Sequence, residues 1–282
     1  MKVYISIDAE GVAGITDWEQ IRTKGDDYAL GRRLMLGELN AAIAGILAVD
    51  AGATIVVNDA HGAMRNFPPD EIDGEAQYIS GRHKPLYMMQ GLDATFDAIV
   101  FIGYHGSIGA RDALLSHTYN PRAIWEVRID GQVVGESALN GLVAAHYGVP
   151  IACITGDEAT AAEARAFIPA IETVVVKQSY SRFSASNLHP NVARRRIQSG
   201  VQHALESLTS RDLVPRYATP TQIAVTFVTA DMAATCTVLR HVTLSADDSR
   251  TVICANTDPD EDYLELYQAF VGMTMITYSL VD

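Results

Sequence analysis

The chain is 282 residues long, 48% hydrophobic and 20% charged, enough for a sizeable core in one large domain or two ordinary ones, and wholesale disorder is excluded. With 21 Lys+Arg against 34 Asp+Glu its formal net charge is −13, and so acidic a surface argues against broad binding to a nucleic-acid backbone. The apolar opening run stops at Asp8, too short for an export signal, and the longest uncharged stretches, 137–156 and 266–281, are too often broken by polar residues to read as membrane spans.

In chain order, residues 2–8 (KVYISID) read as a β-rich strand ending in acid. Met35, Leu39, Ile43, Ile46 and Leu47 then recur at helical spacing, with Gly52 where a C-terminal cap belongs. Residues 54–58 (TIVVN) and 98–104 (AIVFIGY) are further apolar strands. Residues 123–130 followed by Gly131 and 132–134 read as a hairpin with an Asp-Gly turn. A helix over 137–147, a buried strand over 150–155 and a helix over 157–167 complete an alternating pattern. Beyond residue 171 the rhythm changes: a strand at 173–177, a polar-faced helix at 191–208, a connection over 215–220, and alternating strands at 223–228, 237–242 and 251–254. Asp258, Pro259 and Glu261 then signal the start of a last helix, with Tyr263, Leu266, Tyr267, Phe270 and Met273 on one face.

Strands apolar throughout and separated by helices imply a mainly parallel sheet covered on both faces. The expected architecture is a three-layer α/β/α domain over residues 1–170 with a smaller α+β domain over 171–282. Cys153, Cys236 and Cys254 show no CxxC spacing and sit among small or β-branched residues, so they read as buried thiols and point to the cytoplasm.

The strand ends carry the chemistry. The first strand runs into Asp8-Ala9-Glu10-Gly11, the second into Asn58-Asp59-Ala60-His61-Gly62, the third into Gly103-Tyr104-His105-Gly106. In an open parallel sheet ligands bind beyond the carboxyl ends of the strands, so these acids and imidazoles are expected to meet at one edge. Glu136 opens the helix over 137–147, where the helix dipole favours its ionised form. Taken singly, each is as readily a strand-end acid, a helix cap or a core histidine; the repetition after successive strands is what signals a site. Mixed carboxylate and imidazole donors suit Zn²⁺ better than Ca²⁺ or Mg²⁺. Two four-coordinate ions need about eight bonds, which five side chains, a bridging Asp8 and a bridging hydroxide supply, so the set suits a dinuclear centre. His117, in Leu114-Leu115-Ser116-His117-Thr118, stands outside that set as a general acid, general base or nucleophile, or else as a sixth ligand or a structural histidine. The remaining histidines, 83, 146, 189, 203 and 241, receive no role.

Together the segments SIDAEGVAGI, VNDAHG, FIGYHG, SHT and VGESALN resemble the motifs of the D-aminopeptidase family, the M55 metallopeptidases, and the likeness continues through Val175-Val176-Lys177-Gln178 to Leu266-Tyr267-Gln268-Ala269. The resemblance implies a two-zinc aminopeptidase that removes N-terminal D-amino acids from short peptides. It implies Asp8 (bridging), Glu10, His61, His105 and Glu136 as metal ligands and His117 as the catalytic histidine. It further implies a ring-like homo-oligomer with its active sites facing an internal space. Thr118 departs from the family's serine and keeps its hydroxyl. Two other readings compete: a dinuclear amidase or phosphoesterase, for which Arg65, Arg111 and Arg122 are candidate phosphate clamps, and a non-catalytic peptide-binding accessory of a transport system.

Overall fold

The computed structural model describes residues 1–218, 221–255 and 263–281. Its first half runs β1 (Lys2–Ile7), α1 (Tyr28–Val49), β2 (Thr54–Asp59), β3 (Gln77–Ile79), β4 (Ala98–Ile102), β5 (Ile124–Ile129), β6 (Gln132–Val133) and α2 (Glu136–Tyr147). The second half runs β7 (Ile151–Asp157), α3 (Glu158–Phe167), β8 (Glu172–Ser181), β9 (Ser184–Asn187), α4 (Pro190–Glu206), β10 (Gln222–Phe227), α5 (Ala230–Cys236), β11 (Val242–Leu244), β12 (Thr251–Ala255) and α6 (Tyr263–Tyr278).

Among the described residues the main sheet has the order β3-β2-β1-β4-β7-β8-β9, parallel throughout except for β9, which returns antiparallel along β8. The fold is thus mixed α/β with a mostly parallel sheet flanked by helices, as expected. Strand alternation sorts the core. Val3, Ile5 and Ile7 of β1 pack with Leu39, Ile43 and Ile46 of α1 and Ile197 and Val201 of α4. Tyr4 and the β4 residue Phe101 face the other way, toward Leu139 and Leu142 of α2 and Tyr267 and Phe270 of α6. α1 has no side-chain cap at its start. Its buried apolar residues hold it instead, since each contributes about 1.5–3 kcal/mol against about 1 kcal/mol for a good cap.

A second sheet, β11-β12-β10-β5-β6, is antiparallel and shares the α2–α6 core through Val127, Ile223, Val225 and Phe227. Residue 170 does not separate the two sheets: β8 and β9 lie in the first, while β5 and β6 lie in the second. The predicted hairpin forms between β5 and β6, with Asp130 at φ 51° and Gly131 at φ 83° in its turn. Two expectations change, and one further strand, β9, forms. α1 ends on Asp50 rather than Gly52, whose amide instead donates to the Asp50 carboxylate. The strand expected over 237–242 is instead the turn that leaves helix α5, closing at His241 (φ 62°), because the alanine-rich run ahead of it is helical; the strand starts only at Val242. β9 (SASN) lacks the apolar alternation that reveals a strand and forms by pairing with β8. The start of the last helix signalled by Asp258, Pro259 and Glu261 falls outside the described residues.

Helices α1 and α4 cross closely at Gly45, where an added Cβ would stand 2.5 Å from the Gln198 carbonyl oxygen and 3.1 Å from Val201 Cβ. Gly45→Ala gains about 1 kcal/mol of helix propensity and loses about 1–3 kcal/mol to overpacking. The expected outcome is a lower urea midpoint; a raised one would show that the helices part without cost.

Candidate metal centre

Adjacent strands deliver the donors. β2, β1 and β4 are neighbours in the sheet, and the chain winds away from β1 in both directions, so the crevice lies at a topological switch point. Asp8 follows β1 directly and its amide donates to the Ile102 carbonyl at 2.8 Å. Glu10 comes two residues later. The next residue must be glycine: a Cβ on Gly11 would lie 1.8 Å from the Tyr104 carbonyl oxygen, where the β1 and β4 loops touch. His61 follows β2, His105 follows β4, and Glu136 is the first residue of α2. All five predicted ligands and His117 are buried and come together.

The contacts fall into overlapping groups. Asp8, Glu10 and His61 bring donor atoms within 4.8 Å of one another, as do Asp8, His105 and Glu136, so Asp8 belongs to both. Glu10, His105 and His117 form a third such group. His61 Nδ1 lies 2.9 Å from Asp8 Oδ1 and 3.2 Å from Glu10 Oε2. His105 Nε2 lies 3.4 Å from Asp8 Oδ2 and 3.5 Å from Glu136 Oε2. His117 Nε2 lies 3.6 Å from Glu136 Oε1 and 3.9 Å from Glu10 Oε1.

Each imidazole commits its other nitrogen to a backbone carbonyl: His61 Nε2–H donates to Ile21 at 3.0 Å, His105 Nδ1–H to Gly106 at 2.9 Å and His117 Nδ1–H to Leu115 at 2.9 Å. This assignment turns the remaining nitrogen of each ring toward carboxylate oxygens, the orientation that backbone acceptors impose on metal-binding histidines. A neutral nitrogen lone pair facing a carboxylate is repulsive unless a proton or a cation lies between them. Buried Glu10 Oε2 and His105 Nε2 have no hydrogen-bond partner. Three buried carboxylates with unspent donors fit a divalent metal.

The titration behaviour follows the same logic. Burial works against the charged form of Asp8, but the adjacent His105 and His61 imidazoles hold its carboxyl well below the usual range. Burial also opposes charging of His61 and His105, yet the charges of Glu10 and Glu136 respectively, with Asp8 close to both, raise them well above an ordinary histidine. His117 moves the other way: burial and then the neighbouring His105 lower it, so its neutral form prevails. Its ring stacks on His105 with centroids 4.2 Å apart and meets Trp18 edge-on at 5.5 Å.

Supports that the sequence did not announce hold this geometry. Buried Lys177 spends its ammonium on the Glu10 and Ile15 carbonyls at 2.8 and 2.7 Å, pinning the loop that carries Glu10. Asp157 caps α3 through the Thr160 amide and accepts from the Leu114 amide at 3.1 Å, anchoring the segment that leads to His117. The Tyr119 amide donates to Glu136 Oε1 at 2.7 Å. Trp18 did have a signal, the capping box formed by Asp17 and Gln20 around its short helical turn. Above the donors opens a cavity of about 490 Å³ lined by Trp18, Tyr87, Tyr119 and Tyr278 as well as by the acids. Of the three arginines expected as phosphate clamps, Arg122 lines it. Arg111 is on the surface beside Asp112, and Arg65 is exposed.

A family model described as Peptidase M55, D-aminopeptidase, matches residues 1–271. A D-aminopeptidase of Bacillus subtilis (strain 168) is 33% identical over 280 residues, spanning 97% of each chain. A solved structure titled as the Zn-dependent D-aminopeptidase DppA from Bacillus subtilis, a self-compartmentalizing protease, superposes with a TM-score of 0.91 at 30% identity, covering 99% of this chain and 98% of that one.

A raised folded-state pKa stabilises below the unfolded value, near 6.5 for histidine, and this contribution fades as pH rises through the folded value. For His61 and His105 that direction applies; for Asp8, lowered in the fold, stability is present above its unfolded value and lost as pH falls through the folded one. Chelator-treated protein is therefore expected to melt at falling temperature as pH rises above neutrality, and a saturating divalent cation, which replaces those protons, should flatten the curve. Thermal scans across pH with and without zinc check this; a flat metal-free profile counts against the arrangement.

Proposed function

Since this chain belongs to the peptidase M55 family of D-aminopeptidases, we propose that it is a zinc-dependent aminopeptidase that releases N-terminal D-amino acids from short peptides through a dinuclear centre. Asp8, which belongs to both donor groups, would help hold both ions, with Glu10 and His61 for one and His105 and Glu136 for the other. The observation that carries this reading is the sharing of Asp8 by two donor groups beneath an open cavity, with Glu10 Oε2 and His105 Nε2 unpaired. Zinc, when bound, supplies Lewis acidity toward a carbonyl and toward water at neutral pH.

The chain's own groups do the rest. The carboxylates offer the substrate's free ammonium a charged partner, which favours cleavage at the N-terminus. His117, neutral and with Nδ1–H fixed on the Leu115 carbonyl, presents Nε2 to the cavity. It accepts a proton there and returns it to the leaving amine, general acid–base work of the kind worth about 10²–10⁴-fold. The stacked His105 and the edge of Trp18 hold its ring in that orientation.

We further read the chain as a homo-oligomer of ring-like form with its sites facing an internal space, following the relative described as self-compartmentalizing. Supporting this, the second sheet and its margin leave Trp125, Val133 and Val228 exposed at 61%, 40% and 45%. Cys153, Cys236 and Cys254 are buried thiols, which supports a cytoplasmic setting, and among the described residues no helix is long and apolar enough to cross a membrane.

Two experiments test the reading. Metal-depleted protein should take up two zinc equivalents per chain by elemental analysis after dialysis, and Asp8→Asn should retain fewer with turnover down more than about a hundredfold; full zinc uptake by that variant would remove the bridge. His117→Ala should keep its zinc while kcat on D-Ala-D-Ala falls about 10²–10⁴-fold. Loss of zinc would make His117 a ligand, and unchanged turnover would remove it from the mechanism.

A further inference from the structure

In a chain of net charge −13, three arginines line the one cavity that also contains Asp8, Glu10 and Glu136: Arg22, Arg82 and Arg122. Arg82 is exposed, and its Nε donates to the carbonyl of Gly62, the residue after His61, at 3.1 Å. The Arg22 guanidinium lies over the Trp18 ring at 5.4 Å. Among the described residues neither arginine has a carboxylate within ion-pair distance, and both are anchored by groups that leave their charge uncompensated. Arg122 is held at the same rim by the Val281 carbonyl, 2.8 Å from Nη1.

Phenols line the same cavity as these cations and acids. Tyr119 donates its amide to Glu136, stacks on Tyr87 with centroids 5.2 Å apart, and accepts at its carbonyl from the Tyr278 hydroxyl at 2.9 Å. Burial raises the Tyr87 and Tyr278 hydroxyls, with Glu136 adding to the rise and Arg82 opposing it. The cavity therefore holds both signs of charge, the acids of the donor cluster and the arginines that share its lining.

Resting on the aminopeptidase reading, we propose that Arg82, assisted by Arg22, receives the α-carboxylate of the substrate, so that this enzyme selects very short peptides with a free C-terminus. A zwitterionic dipeptide matches the polarity end for end, its ammonium toward the carboxylates and its carboxylate toward the guanidinium fork, which pairs with a planar carboxylate in bidentate fashion. The volume of about 490 Å³ is that of a small-ligand site rather than of a long peptide groove. A C-terminal amide or a longer chain carries no charge to that point and leaves the guanidinium unpaired.

The test compares kcat/KM on D-Ala-D-Ala, its C-terminal amide and the α-amide of D-Ala-D-Glu, in which only the side-chain carboxylate is free. Wild-type enzyme is expected to favour the free α-acid at least tenfold over both. Arg82→Ala should lower kcat/KM for the acid ten- to a hundredfold more than for the amide, chiefly through KM, with zinc content and melting temperature unchanged. Arg82→Lys should restore part of the preference, and Arg22→Ala should lose a smaller part of it. Equal cleavage of acid and amide by wild type, equal cleavage of the side-chain acid, or an unchanged acid-to-amide ratio in Arg82→Ala overturns the assignment while leaving the aminopeptidase reading intact. Cleavage of none of the three by zinc-loaded protein overturns both.

Discussion

Three carboxylates buried against one another set the terms for the rest of this molecule. Asp8, Glu10 and Glu136 are each no more than 3% exposed, and like charges so placed are tolerable only with compensating positive charge. No lysine or arginine is within ion-pair distance of them among the described residues; the near neighbours are His61, His105 and His117. Protons on imidazoles can meet the need in part, and divalent ions can meet it wholly. The fold is arranged to keep both options apart from bulk water while leaving one side open to a substrate.

Sheet topology makes that concentration of charge inexpensive to build. A ligand after each of three neighbouring strands requires no long-range loop, only a chain that turns sharply at each strand end, and Gly11 and Gly103 (φ 70°) provide those turns where the β1 and β4 loops touch. This is why the site was readable from the sequence. An acid or imidazole beside glycine, repeated after successive apolar strands, records adjacency in space because parallel strands align their ends. Glu136 was readable for a related reason, since a glycine followed by an acid marks the opening of a helix.

What the sequence hid is side-chain work over long separations. Lys177 follows three valines and precedes Gln178, and nothing nearby in sequence shows that its ammonium reaches the Glu10 carbonyl. Glu38 is similar: it sits mid-helix like a surface residue, yet burial pushes its carboxyl up to about 7 and it accepts from the Ala13 amide behind the same loop. The arginines at the rim carry no motif at all. The strand expected over 237–242 starts too early because Thr237 and Val238 favour β structure locally, while Met232, Ala233 and Cys236 find their burial against the core in helix α5 and the chain turns after it. Pairing alone, not pattern, creates β9.

The last helix reaches the chemistry through oxygen atoms as well as through Phe270, whose ring meets Tyr119 edge-on at 4.9 Å. Tyr267 Oη pairs with Tyr119 Oη at 2.9 Å and donates to the Leu86 carbonyl, and Tyr278 donates to the Tyr119 carbonyl, so the residue whose amide steadies Glu136 is gripped from α6 at both its ring and its backbone. Tyr119 thereby works as a keystone between a helix laid down late in the chain and a carboxylate laid down in its middle. Drift in the seating of α6, harmless by any measure of how tightly the molecule holds together, would be felt first as an acid pointing a fraction of an ångström astray.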